Sequence, residues 1–81
     1  MAKNTLLAYK RDLGSYIKFL EGLGLDSPSQ VQESTVRDFA QQLVTNKLMV
    51  ATSVARTLAV VRGLHKFLLF EGTVETDVAA T

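Results

Sequence analysis

The chain has 81 residues, 47% of them hydrophobic, no cysteine and a formal net charge of +1. That is one small domain, which buries only about 60–65% of its unfolded surface. The lack of cysteine excludes disulfide and thiolate–metal frameworks, no apolar run approaches the ~18 residues of a membrane span, and no leader is visible, so a cytoplasmic setting is expected.

The first predicted helix runs from about Thr5 to Glu21. Leu6, Tyr9, Leu13, Tyr16, Ile17 and Leu20 recur at helical spacing and form its apolar stripe. Asn4 or Thr5 is the expected N-cap, and Gly22 and Gly24 end the helix. Both tyrosines read as core residues. Leu7 falls on the polar face between Arg11 and Lys18, where it is an ordinary exposed leucine or an apolar contact to a sugar or a thymine methyl.

Residues 22–33 form a connector containing Pro28, with room for a short turn. The second helix is expected from Thr35 to Asn46, capped by Ser34, with Val36, Phe39, Ala40 and Leu43 on one face. A short loop from Lys47 to Ala51 leads into the third.

The run from Ala51 to Gly72 reads as one long helix with a broad apolar face. On a helical wheel Val54, Leu58, Val61, Leu64 and Leu68 share an arc of about 120°. Thr52, Arg56, Arg62 and Lys66 share a second arc of about the same width, nearly opposite. Thr52 or Ser53 is the expected cap, and Gly72 sits where a left-handed residue would end the helix. Gly63 lies on the basic strip, where a close helix contact or the approach of a ligand backbone would explain it. The last segment, 73–81, is acidic and small-residued, and is either a tail leading towards another domain or the start of a short fourth helix near Asp77.

The sequence thus predicts an all-α bundle of three clear helices over residues 1–72, with a core that includes Leu13, Ile17, Phe39, Leu43, Leu58, Val61 and Leu68. No strand alternation or repeat is present.

Charge is unevenly placed. Lys3, Lys10, Arg11 and Lys18 in the first segment face one acid, Asp12. Lys47, Arg56, Arg62 and Lys66 in the third segment face none, while acids dominate between and after them. The two basic segments can form a single surface for an anionic partner, or plain solvated faces. Two helix starts rich in small polar residues, with basic residues one turn later, favour phosphate contact. No catalytic constellation is recognisable. His65 is the only histidine, lacks metal or acid–base partners at usable spacing, and reads as structural. No metal site, cofactor loop or cofactor is expected.

The stretch NTLLAYKRDLGSYIKFLEGLG resembles the opening of Xer-type tyrosine recombinases, the group that includes chromosome-dimer resolvases and phage integrases. SVARTLAVVRGLHKFLLFEG resembles their later long helix. The resemblance implies a SAM-like core-binding domain that clamps double-stranded DNA together with a separate catalytic domain and contacts other protomers. By position it points to Thr5, Ala8, Arg11, Thr52, Ser53 and Arg56 as DNA contacts. Lys10 joins Arg11 as a basic pair, and Arg62 and Lys66 lie further along their helix. Arg56 is expected to act chiefly on phosphate. The family's catalytic Arg, Lys, His and Tyr belong to the catalytic domain, so neither Tyr9 nor Tyr16 is a nucleophile. The family often has Asn-Pro or Asp-Pro after the long helix, whereas Asp77-Val78 stands here. The rival reading is a helical protein-interaction domain without nucleic-acid binding.

Overall fold

The computed structural model describes residues 3–80. Helix α1 spans Lys3–Gly22, a single 3-10 turn spans Pro28–Gln30, α2 spans Glu33–Thr45 and α3 spans Ala51–Phe70. The chain is all-helical among the described residues, as its periodicity predicts.

Both long helices end in the same way. Gly24 and Gly72 take positive φ values of 78° and 75°. At each, two amide N–H groups fold back on the last turn. Gly24 and Leu25 donate to the carbonyls of Glu21 and Leu20 at 2.9 and 3.1 Å, and Gly72 and Thr73 donate to those of Leu69 and Leu68 at 3.1 and 3.0 Å. This is the Schellman arrangement, which needs a residue without a Cβ penalty at the left-handed position.

The helix starts differ from expectation. Helix α1 is already helical at Lys3, so Asn4 and Thr5 lie inside its first turn rather than capping it. Helix α2 begins at Glu33, with Gln32 as N-cap instead of Ser34; the Gln32 N–H donates to the Thr35 hydroxyl at 3.2 Å. The preceding 3-10 turn is closed by the Gln30 side chain, which accepts from the Asp26 and Ser27 N–H groups, and the buried Val31 leaves no slack before the helix. Helix α3 begins at Ala51 behind an extended Val50, whose carbonyl accepts from Ser53 and Val54. Thr52 and Ser53 are therefore first-turn residues, not caps.

The core gathers Tyr16, Phe39, Leu43, Val61 and Ala79, with Phe19, Leu20, Val36, Met49, Val54, Leu58 and Leu64 packed around it. The Phe39 ring lies 4.9 Å from that of Tyr16 and 5.2 Å from that of Phe19, both tilted, as aromatic quadrupoles prefer. On α3 the expected phase holds: Thr57, Val61 and His65 are buried, and Thr52, Arg56, Arg62 and Lys66 are exposed.

On α1 it does not. Ile17 is 43% exposed and Tyr9 41%, and Leu13 is only half-buried, as is Leu68 on α3. The buried line of α1 runs through Asp12 and Tyr16 instead. The helix is turned by roughly 60° from the centre of its apolar stripe, because two polar side chains find partners on α3.

After α3 the chain forms turns rather than a fourth helix among the described residues. The Asp77 carboxylate accepts from the Ala79 N–H at 3.0 Å, and this turn inserts Ala79 into the core at 3% exposure.

Candidate nucleic-acid interface

The site begins with a cross-helix ion pair. Arg56, one turn into α3, donates from Nε to Asp12 Oδ2 at 2.7 Å and from Nη2 to Asp12 Oδ1 at 3.2 Å. Asp12 is almost wholly buried in the α1–α3 interface, whereas the Arg56 side chain remains 46% exposed. A buried carboxylate is tolerable only with such a partner. The Asp12 hydrogen bond, and then its charge, raise the guanidinium pKa above its ordinary value, so Arg56 is permanently cationic.

Two surface grooves meet at this arginine. One, of about 320 Å³, is lined by Asn4, Thr5, Ala8, Tyr9, Val60 and Arg56. The other, of about 710 Å³, lies between α1, the end of α2 and the start of α3, where Arg11, Ser15, Asn46 and Ser53 join Asp12 and Arg56. Among the described residues lining either groove Asp12 is the one acid, and Arg56 already occupies it.

The fold therefore brings Thr5, Ala8, Arg11, Ser53 and Arg56 around one corner of the bundle. Thr52 is exposed in the first turn of α3, beside that corner but outside both groove linings. Lys10 is exposed on a different side of α1 from Arg11. Arg62 lies about 9 Å further along α3, in a separate recess with Glu33 and Arg37. Lys66 is exposed a further turn away. Asp12 escaped sequence reasoning because a lone acid in a basic segment reads as a solvated charge. Its position between Ala8 and Tyr16, one helical turn from each, was the available signal.

Gly14 and Gly63 have open space where a Cβ would stand, so a close helix contact does not explain Gly63. Leu7 is 50% exposed.

His65 has a structural role. Its Nε2 lies 2.7 Å from the Tyr16 hydroxyl, and both residues are buried. Burial lowers the His65 pKa, partly opposed by Asp77, and raises that of Tyr16 to about 12. Neutral imidazole and neutral phenol share this bond, and His65 Nδ1 has no partner among the described residues. No cluster of His, Asp and Glu suited to a metal ion occurs among the described residues. No described helix is long and apolar enough to cross a membrane.

Comparison with known proteins places this architecture. The chain is 42% identical over 84 residues to the tyrosine recombinase XerD of Corynebacterium glutamicum, an alignment covering 99% of this chain and 28% of that protein. It is 41% identical over 85 residues to the XerD protein of Mycobacterium tuberculosis, covering 98% and 27%. It is 36% identical over 73 residues to the tyrosine recombinase XerC of Anoxybacillus flavithermus, covering 90% and 24%. The chain thus spans about a quarter of the length of these relatives. No solved structure matches it. The family model of the phage integrase N-terminal SAM-like domain matches residues 1–72, more than half of the chain, and the chain belongs to that family.

Proposed function

We propose that this chain is the DNA-contacting N-terminal domain of a Xer-like site-specific tyrosine recombinase. The observation that carries the reading is the corner where Arg56 joins two grooves, with Arg11, Thr5 and Ser53 around it and the sole groove acid already neutralised. Short hydroxyls beside the Arg11 guanidinium suit phosphate oxygens, which dominate affinity for duplex DNA. The names of the relatives support the same reading.

In a parent protein of this kind, catalysis lies outside these residues. A tyrosine hydroxyl of the catalytic domain attacks phosphorus, forms a 3′-phosphotyrosyl bond and releases a 5′-hydroxyl. This domain supplies orientation and affinity, with other protomers as partners in a cytoplasmic assembly and no cofactor of its own. Thr5, Ala8, Arg11, Thr52, Ser53 and Arg56 form the central contacts, with Lys10, Arg62 and Lys66 at the margins.

A second reading, a protein-interaction bundle, is favoured by the exposed Val44, Leu48, Val50 and Phe70. A titration of duplex DNA against salt separates the two. DNA contact predicts a log–log slope of about −0.9 per phosphate neutralised, reduced by about one such step in Arg11→Ala. No binding at low ionic strength would leave the second reading standing.

A further inference from the structure

We propose that Arg56 reads a guanine edge in the major groove and that Asp12 is the positioning residue that aims it. This rests on the DNA-binding reading above and assigns the chemistry of its central contact.

A guanidinium has two bidentate faces. The side-on face pairs Nε–H with one Nη–H. The end-on face pairs one N–H from each Nη. Asp12 takes the side-on face of Arg56, with Nε at 2.7 Å and Nη2 at 3.2 Å. The end-on face is left over, since Nη1 makes no hydrogen bond among the described residues and the side chain is 46% exposed. The two free N–H groups of that face are parallel and coplanar. Guanine presents two acceptors, N7 and O6, in matching geometry at the floor of the major groove.

Two consequences of the ion pair favour a base over a phosphate. First, Asp12 offsets the charge of Arg56, which weakens attraction to phosphate but leaves the directional donors intact. Second, a buried carboxylate fixes an otherwise flexible side chain before any ligand arrives. The ordering entropy of a long arginine is already lost in the free protein. That preparation is wasted on a phosphate, which accepts from many directions. It matters for a planar acceptor pair. Arg11 and Ser53 line the same groove as Arg56 and remain available to hold the backbone.

The test selects duplexes from a randomised pool with the 81-residue chain at low salt, in parallel for the wild type, Arg56→Lys and Asp12→Asn. Circular dichroism melts confirm that each variant is folded. Arg56→Lys keeps the charge on an exposed side chain, so it remains informative if Asp12→Asn fails to fold. The wild type is expected to enrich a fixed guanine, favoured roughly 5- to 150-fold over other bases. Arg56→Lys should lose the preference at that position alone. Asp12→Asn should weaken the same preference while binding the unselected pool at least as tightly as the wild type, an outcome that a general structural defect would not produce. A guanine preference unchanged in Arg56→Lys overturns the proposal. So does a uniform loss of affinity without change of preference, which would return Arg56 to phosphate. Salt-sensitive binding without any enriched base overturns base reading and leaves the DNA-binding reading intact. No binding to any duplex overturns both.

Discussion

The hydroxyl of Tyr16 and Nε2 of His65 sit 2.7 Å apart, with Tyr16 0% and His65 1% exposed. The pair replaces an apolar contact at the point where the two long helices meet. Its cost is visible on the far side of the imidazole, where Nδ1 is left without a partner among the described residues.

That pair makes stability depend on pH at both ends. The folded pKa of His65 lies below its ordinary 6.5, so the unfolded chain binds more protons as the medium acidifies. Its stabilising contribution is complete above pH 6.5 and is lost as pH falls through the depressed folded value. Tyr16 works in the opposite direction. Its pKa is raised from 10.0 to about 12, so its contribution is complete below pH 10 and lost between pH 10 and 12. Urea melts across pH 5–12 should show a plateau flanked by two declines; a Tyr16→Phe/His65→Leu double variant that keeps the acid decline would exclude His65 as its source.

Removing both partners should cost less than the two single removals add up to. Tyr16→Phe strands a buried imidazole nitrogen and should cost about 1–3 kcal/mol. The double variant should cost less than the sum of its two single changes. A strictly additive double-mutant cycle would show that the 2.7 Å contact carries no coupling.

Core truncation should discriminate between positions that look equivalent in sequence. Val61→Ala, at 1% exposure, should cost about 2–3 kcal/mol. Ile17→Ala, at 43% exposure, should cost less than about 1 kcal/mol. Denaturant midpoints that rank the two in reverse would contradict the rotation of α1.

The glycines should divide by backbone angle rather than by location. Gly14→Ala and Gly63→Ala meet open space in helix interiors and should each stabilise by roughly 0.5–1 kcal/mol. Gly24→Ala and Gly72→Ala must hold φ near +75° and should each destabilise by about 1–2 kcal/mol. Thermal melts of the four variants suffice. A loss of stability in Gly63→Ala would reveal a contact that the helix packing does not contain.

Ala79→Asp places a carboxylate in the core without a partner and should lower the melting temperature by several degrees. An unchanged melt would detach the 73–80 segment from the bundle.

Three helices, the glycine stops and the phase of α3 were legible because each rests on a period of 3.6 or on a backbone angle that few residues tolerate. The phase of α1 was not. The apolar stripe of Leu6, Tyr9, Leu13 and Ile17 outnumbers Asp12 and Tyr16, and hydrophobic counting cannot foresee that an acid will be buried by an arginine 44 positions away. The caps were misplaced for a related reason. Val50 caps α3 with its backbone carbonyl alone, so a search for small polar side chains shifts the start onto Thr52 and Ser53. Ala79 carries too little apolar surface to announce itself as core. Arg56, Arg11, Thr5 and Ser53, each named from the sequence, line the two grooves that share Arg56, while the partner of Arg56 emerged only with the packing of α1 on α3.

The two polar links between the long helices join residues 44 and 49 positions apart, with all of α2 enclosed in each loop. Closing loops of that size is entropically costly, so neither link can form early by itself. Both must await collapse of the chain between them, and both dissolve together when α1 lifts from α3. The middle of α1 and of α3 should therefore exchange their amide hydrogens as one unit and at the slowest rate in the molecule. Helix α2, which among the described residues has no side-chain hydrogen bond to either long helix, should open at lower energy. A residue pair that orients an arginine at the surface would then also mark where the fold is hardest to pull apart.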